Sequence, residues 1–232
     1  LILILGFFSF HAKNFELDAS ADSLILEEDK DLKIFREITK RYDTKDFVII
    51  TYKPNEDLFS SNTFQNIKDL KNKLESLGNV YEVISLIDLP LLKSANVPLK
   101  KLSEDKIKRI IDSDIDINSA KNEILESPIF KNLIVSEDGE LTSLIVNLKR
   151  DEEFIQLLRK RNDLHAKEKL NNKEEKQLKE ILQEYDKKKS NLKKINHKNI
   201  TSIRKIIKEF SNTGEFHLGG VPMIADDMIE FI

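Results

Sequence analysis

The chain has 232 residues, no Cys, no Trp, six Gly and a formal net charge of -3, a length that buries a real core as one large domain or two small ones. Zero Cys excludes a disulfide scaffold, a thiolate metal site and a Cys nucleophile, and the near-neutral balance argues against a binder driven by phosphate neutralisation. Charged residues make up 34% with both signs mixed, which argues against global disorder, and no Gly stands in a GxGxxG or GxxxxGK arrangement, so no nucleotide-phosphate loop is expected.

Leu1-Ile2-Leu3-Ile4-Leu5-Gly6-Phe7-Phe8 is an apolar run that stops at Ser9 and His11. Eight helical residues rise about 12 Å against a hydrocarbon core of ~30 Å, so the run does not span a bilayer by itself. It fits the outer end of a cut transmembrane helix, the end of a signal-peptide apolar region or a buried strand; the first is the expectation for residues 1–10. Asn14–Leu26 follows as an extended or irregular stretch. A helix is expected over Asp29–Tyr42, where Leu32, Ile34, Phe35 and Ile38 fall at helical spacing.

Asp46–Lys53 reads as a buried strand ended by Pro54. Ser61–Leu77 is an amphipathic helix with Phe64, Ile67, Leu70, Leu74 and Leu77 on one face, and Gly78 stands where a C-cap glycine belongs. Val80–Ile87 is a second strand, and Pro90 and Pro98 bracket a loop. Ser103–Ile111 is expected as a short helix with Ser103 as N-cap, and Ser119–Leu125 as another. Asn132–Ser136 and Leu141–Leu148 read as strands around the turn signal Glu137-Asp138-Gly139.

Asp151–Lys198 is rich in Lys and Glu and lacks Gly and Pro. Its sparse apolar positions (Phe154, Leu157, Leu158, Leu164, then Leu178, Ile181, Leu182, Tyr185 and Leu192) break at Leu170-Asn171-Asn172. Two antiparallel helices are expected, a projecting hairpin with Asn172 and Glu175 as N-cap and reciprocal partner; one long exposed helix is the alternative. Lys187-Lys188-Lys189 with Lys193-Lys194 is a possible contact to anionic lipid, but mixed charge along the segment favours a solvated face. Ile200–Phe210 returns to a globular helical pattern, Glu215–Leu218 is a short strand, and Pro222–Ile232 starts a further helix, with acids near its beginning.

Without the hairpin and the proline-bracketed loop, the order is strand, helix, strand, strand, helix, strand: an α+β fold with the ferredoxin-like βαββαβ pattern. The expected organisation is 1–10, the end of a truncated transmembrane helix; 11–150, the first part of an α/β domain with a small helical insertion near 99–126; 151–198, the coiled-coil-like hairpin; 199–221, completion of the α/β domain; and 222–232, a helix leading to a second transmembrane segment. The fold supports many functions and identifies none by itself.

The histidines His11, His165, His197 and His217 form no HExxH and no close pair. His165 and His197 face each other only if the hairpin brings them together, and solvated side chains are the simpler expectation. No GxSxG elbow supports a serine triad, and no catalytic residue and no cofactor is assigned. The acidic run Asp112-Ser113-Asp114-Ile115-Asp116-Ile117-Asn118, with Glu123, offers a calcium-type ligand order: Asp112, Asp114, Asp116, Asn118 and Glu123 fall at loop positions 1, 3, 5, 7 and 12. Against it, Ile117 stands where the tight turn requires Gly. The competing expectation is a helix end followed by an Asp-rich cap and turn.

One further pattern emerges from an ordered series of short segments. These are Phe15-Glu16-Leu17-Asp18-Ala19-Ser20-Ala21-Asp22-Ser23-Leu24; Tyr42-Asp43-Thr44-Lys45-Asp46 into Phe47-Val48-Ile49-Ile50; Leu77-Gly78-Asn79-Val80 into Val83-Ile84-Ser85-Leu86; Asn132-Leu133-Ile134-Val135-Ser136-Glu137-Asp138-Gly139 before Thr142-Ser143-Leu144-Ile145-Val146; and His217-Leu218-Gly219-Gly220-Val221-Pro222. The series resembles the first extracytoplasmic (porter) loop of bacterial RND-superfamily exporters of the MMPL-like, Patched-related branch, over most of the chain outside Asp151–Lys198. The resemblance implies a periplasmic loop between the first and second transmembrane helices of a proton-driven pump in the bacterial inner membrane, moving lipids or other hydrophobic molecules. It implies as partners the substrate, the rest of the transporter chain and the membrane, with a homo-oligomer or periplasmic partner at the hairpin and no nucleic acid. The energy-coupling acids of that family lie in later membrane helices, so no proton-relay role passes to Asp226 or Asp227. The hairpin departs from the simplest version of the family loop. The competing expectation is a membrane-anchored extracytoplasmic interaction module that docks a partner through the hairpin.

Overall fold

The computed structural model describes residues 31, 34, 37, 38, 41, 45–93, 107–167 and 169–230. In chain order the elements are β1 (Phe47–Pro54), α1 (Ser61–Glu75), β2 (Val80–Ile84), a 3-10 turn at Leu86–Asp88, α2 (Ile117–Glu126), β3 (Thr142–Leu148), α3 (Glu152–His165), α4 (Asn172–Glu209), β4 (Gly214–Gly219) and α5 (Val221–Glu230). The chain divides into two units, Lys45–Ile224 and Leu1–Thr44 with Ala225–Ile232. In the latter, residues 31, 34, 37, 38 and 41 are helical, in keeping with the helix expected over Asp29–Tyr42. The apolar run Leu1–Phe8, the stretch Asn14–Leu26, His11 and Ser103 lie outside the described residues.

Within Lys45–Ile224 the fold is α+β, built on a four-stranded antiparallel sheet in the order β2-β3-β1-β4. Alternation along the strands sorts the side chains between two faces. Val48, Ile50 and Tyr52 of β1 pair with Val146, Leu144 and Thr142 of β3, and all are buried. Ile49 and Ile145 pair on the opposite face and are half-buried. Phe64, Ile67, Leu70 and Leu74 recur at helical spacing on α1 and are buried with this first face, as are Ile200 and Ile203 of α4. Each fully buried aliphatic of this kind contributes about 1.5–3 kcal/mol before ordering costs. Tyr52 also stacks on Phe216 of β4 with ring centroids 4.3 Å apart.

A second apolar group stands apart from this core. Leu157 and Leu164 of α3 and Ile181 and Tyr185 of α4 are buried but do not belong to the sheet's cluster. Phe154 stacks on Tyr185 at 5.1 Å. Lys188 pairs with Glu153 and, at 3.9 Å, with Asp151, while Lys167 bonds Glu174 near the intervening turn. These contacts join the start of α3 to Tyr185 and Lys188 of α4, and the turn after α3 to the start of α4.

Several local expectations are corrected. The second arm and the helix expected over Ile200–Phe210 are one helix of 38 residues, because nothing between Asn172 and Glu209 breaks helical geometry. Its N-cap is Asn171, with Glu174 as reciprocal partner, one residue earlier than Asn172 and Glu175. Helix α1 ends at the C-cap Ser76, whose N–H bonds Asn72 O, so Gly78 is not the cap; its carbonyl instead accepts a bond from Lys149 Nζ at 2.7 Å. The strand expected to Ile87 stops at Ile84, because Ser85 and Asp88 close a capping box around a 3-10 turn. Asn132–Ser136 is a turn rather than a strand: Asn132 takes φ 63, a left-handed conformation Asn tolerates. Residues 107–111, expected as the end of a helix, instead bridge Leu91 through Lys108 and turn; the Lys108 carbonyl accepts the Leu91 N–H at 2.9 Å.

Candidate interaction surfaces

The acidic run forms caps and turns. Asp112 Oδ2 accepts the Arg109 N–H at 2.9 Å. Asp114 bonds the Lys108 ammonium, which holds its carboxyl below the usual 3.8. Asp116 is the N-cap of α2, accepting the Ser119 hydroxyl at 2.7 Å and the Ser119 N–H at 2.9 Å; those bonds also lower its pKa. Asn118 lies within α2. Glu123 Oε1 accepts the N–H groups of Leu92 and Lys93 at 2.7 and 2.9 Å. Asp112, Asp114, Asp116 and Glu123 are thus engaged separately. Among the described residues no three His, Asp or Glu side chains converge as a metal-ligand group.

His165 closes α3, whereas His197 lies 25 residues along α4 from Asn172, a rise of about 37 Å. The two therefore do not meet. His217 on β4 is exposed beside Glu215 at 3.1 Å. Asp226 is buried in α5.

At one end of the sheet, the β1–α1 connection and the α4–β4 turn enclose a cleft of about 220 Å³ lined by Asn55, Glu56, Asn62, Thr63, Asn66, Asn212 and Thr213. Asn55 Nδ2 donates to Asn212 O at 3.1 Å, and Asn62 Nδ2 donates to both Glu56 oxygens at 3.0 Å. Thr63 and Thr213 donate their hydroxyls to Asp57 O and Phe210 O at 2.9 and 2.8 Å, so neither hydroxyl is directed at Glu56 for proton transfer. The lining offers hydrogen bonds and one carboxylate. Sequence reasoning missed this cleft, because Asn212 joins the other carboxamides only through the fold.

The opposite end of the sheet is where the chain enters and leaves. Ile49 at the start of β1 pairs with Gly219 at the end of β4, Leu148 N bonds Asp46 O at 2.8 Å, and Lys149 N bonds Asn79 O at 2.8 Å. Helix α4 reaches the same end. Asn199 Oδ1 accepts from Asn79 Nδ2 at 3.1 Å, and Asn196 Nδ2 donates to Pro222 O at 2.8 Å. The residues of α4 before Asn196 lie past this end, where Tyr185 and Lys188 meet Phe154 and Glu153 of α3. Among the described residues no helix is long and apolar enough to cross a membrane.

No protein-family model matches the chain, and no curated protein matches it.

Proposed function

We propose that the chain is a porter domain of a proton-driven RND/MMPL-like exporter of lipids or other hydrophobic molecules, a ferredoxin-like unit with an inserted helical hairpin. The observation that carries the reading is the adjacency of the two chain crossings: β1 begins beside the end of β4, with Ile49 paired to Gly219. A domain looped between two neighbouring membrane helices needs its two ends together. The antiparallel order β2-β3-β1-β4 supports the ferredoxin-like component, and the ordered motifs from Phe15 to Pro222 support the family. The domain's work is binding and conformational coupling, without bond chemistry; proton movement belongs to membrane helices elsewhere in the protein.

The competing reading, an anchored module docking a partner through α3 and α4, draws support from the separate apolar cluster around Tyr185. Labelling tests the extracytoplasmic placement that the proposal requires. These 232 residues contain no Cys, so a Cys at Tyr81, which is 57% exposed, is a single reporter in the intact protein once any cysteines elsewhere are replaced. Reaction with a membrane-impermeant maleimide in unlysed spheroplasts is expected. Reaction only after lysis contradicts the proposal.

A further inference from the structure

Helix α4 changes charge character along its length. Asn172–Asp186 carries three Lys and five Asp or Glu, whereas Lys187–Lys208 carries nine Lys or Arg and no Asp or Glu. Lys187, Lys194, Lys198 and Lys205 are separated by 7, 4 and 7 residues, so at 3.6 residues per turn they fall within about 20° of one line, ~27 Å long. All four are exposed. The buried residues Ile200 and Ile203 face the sheet core. The basic line therefore lies on the face that packing leaves open. Neighbouring Lys188 is different, since it is held by Glu153 and Asp151.

From this arrangement we infer that the basic line of α4 is a contact surface for anionic phospholipid headgroups. This rests on the exporter reading, which makes the chain part of a membrane protein. Asn196 and Asn199 tie α4 to the end of the sheet where the chain enters and leaves, so Lys187 and Lys194 lie beyond that end and Lys198 beside it. Lys ammonium groups act as point charges, suited to a fluid array of headgroups more than to a fixed planar acceptor. A run of cations on a helix face is the electrostatic signature of attraction to an anionic leaflet, each residue near the surface adding about fivefold in affinity.

Two triple variants test the surface in the whole chain. Lys187→Gln/Lys194→Gln/Lys198→Gln removes the line near the chain crossing. Lys173→Gln/Lys176→Gln/Lys179→Gln removes the same charge from exposed positions where acids are interspersed. Co-sedimentation with vesicles of phosphatidylglycerol and phosphatidylcholine, and of phosphatidylcholine alone, is read at low ionic strength, with circular dichroism to verify folding. The expected result is preference for anionic vesicles, lost on the order of 100-fold in the first variant and largely kept in the second. Equal loss in both variants, binding indifferent to lipid charge, or tighter binding to a short DNA duplex than to the vesicles overturns the inference. The result is separable from the exporter reading: flanking membrane helices with no vesicle preference leave the exporter standing and remove the lipid surface.

Discussion

Gly220 leaves the sheet directly against Phe47: a Cβ at position 220 would lie 3.0 Å from the Phe47 carbonyl oxygen and 3.1 Å from Val48 Cα. The backbone there has φ +122, which L side chains rarely adopt. The two chain crossings are therefore fitted together at atomic contact distance. Gly220→Ala is expected to destabilise Lys45–Ile224 by about 1–3 kcal/mol. Gly219→Ala is the control, because no atom lies within 4 Å of its Cβ position. Urea unfolding of both variants checks this; equal stability of the two contradicts the fitted crossing.

The two apolar groups predict two cooperative responses. Ile203→Ala, in the sheet core, is expected to cost about 2–5 kcal/mol of global stability. Ile181→Ala, in the separate group with Tyr185, is expected to speed amide exchange in α3 and the first half of α4 while β1 and β3 keep their protection. The double variant should be additive within about 0.5 kcal/mol. Loss of strand protection in Ile181→Ala contradicts two separable clusters.

Acid sensitivity follows from five carboxylates held below their ordinary values. Hydrogen bonds from Lys108, Ser119 and Ser136 lower Asp114, Asp116 and Asp138 below 3.8. Those from Lys167 and Lys73 lower Glu174 and Glu209 below 4.5. A depressed folded-state pKa gives stability that is present above the unfolded value and lost as pH falls through the folded value. Stability is thus expected to hold at about pH 6 and decline below about pH 4.5. The pairs are exposed, and screening is strong at 1 M salt, where the Debye length is about 3 Å; salt should shrink the lysine-paired contributions. Urea midpoints across this range check the sign, and a midpoint that rises on acidification contradicts it.

The acidic run should not respond to calcium. Asp116 caps α2, Asp114 is paired with Lys108 and Glu123 ties down Leu92 and Lys93. Gathering them as ligands would break these contacts. Titration with calcium is expected to give no binding heat and no thermal shift; a saturable shift lost in Asp114→Asn contradicts this assignment.

What the sequence revealed follows physical lines. Apolar runs bounded by turn residues located β1 and β3, and helical apolar spacing located α1 and the sheet-facing part of α4, because burial in one core selects both patterns. Local polar chemistry was harder to place: Ser76 rather than Gly78 ends α1, and Asn171 rather than Asn172 starts α4, since neighbouring capping residues compete at offsets of one or two residues. Asn132 turned a strand-like apolar segment by taking a left-handed conformation. The calcium-like spacing was visible, but the competing partners Lys108, Ser119 and the Leu92 backbone were not. The basic lysines were legible as a cluster, whereas their alignment required knowing that α4 continues unbroken to Glu209.

The most direct test of the exporter account is the coding sequence on both sides of these residues. The account predicts an apolar helix of about 20 residues completed at each flank, several more downstream, and a second α/β loop of the same kind, as internal repeats in transporters require. A stop codon or a soluble domain directly after Ile232 contradicts it, and α3 with α4 then becomes a docking arm.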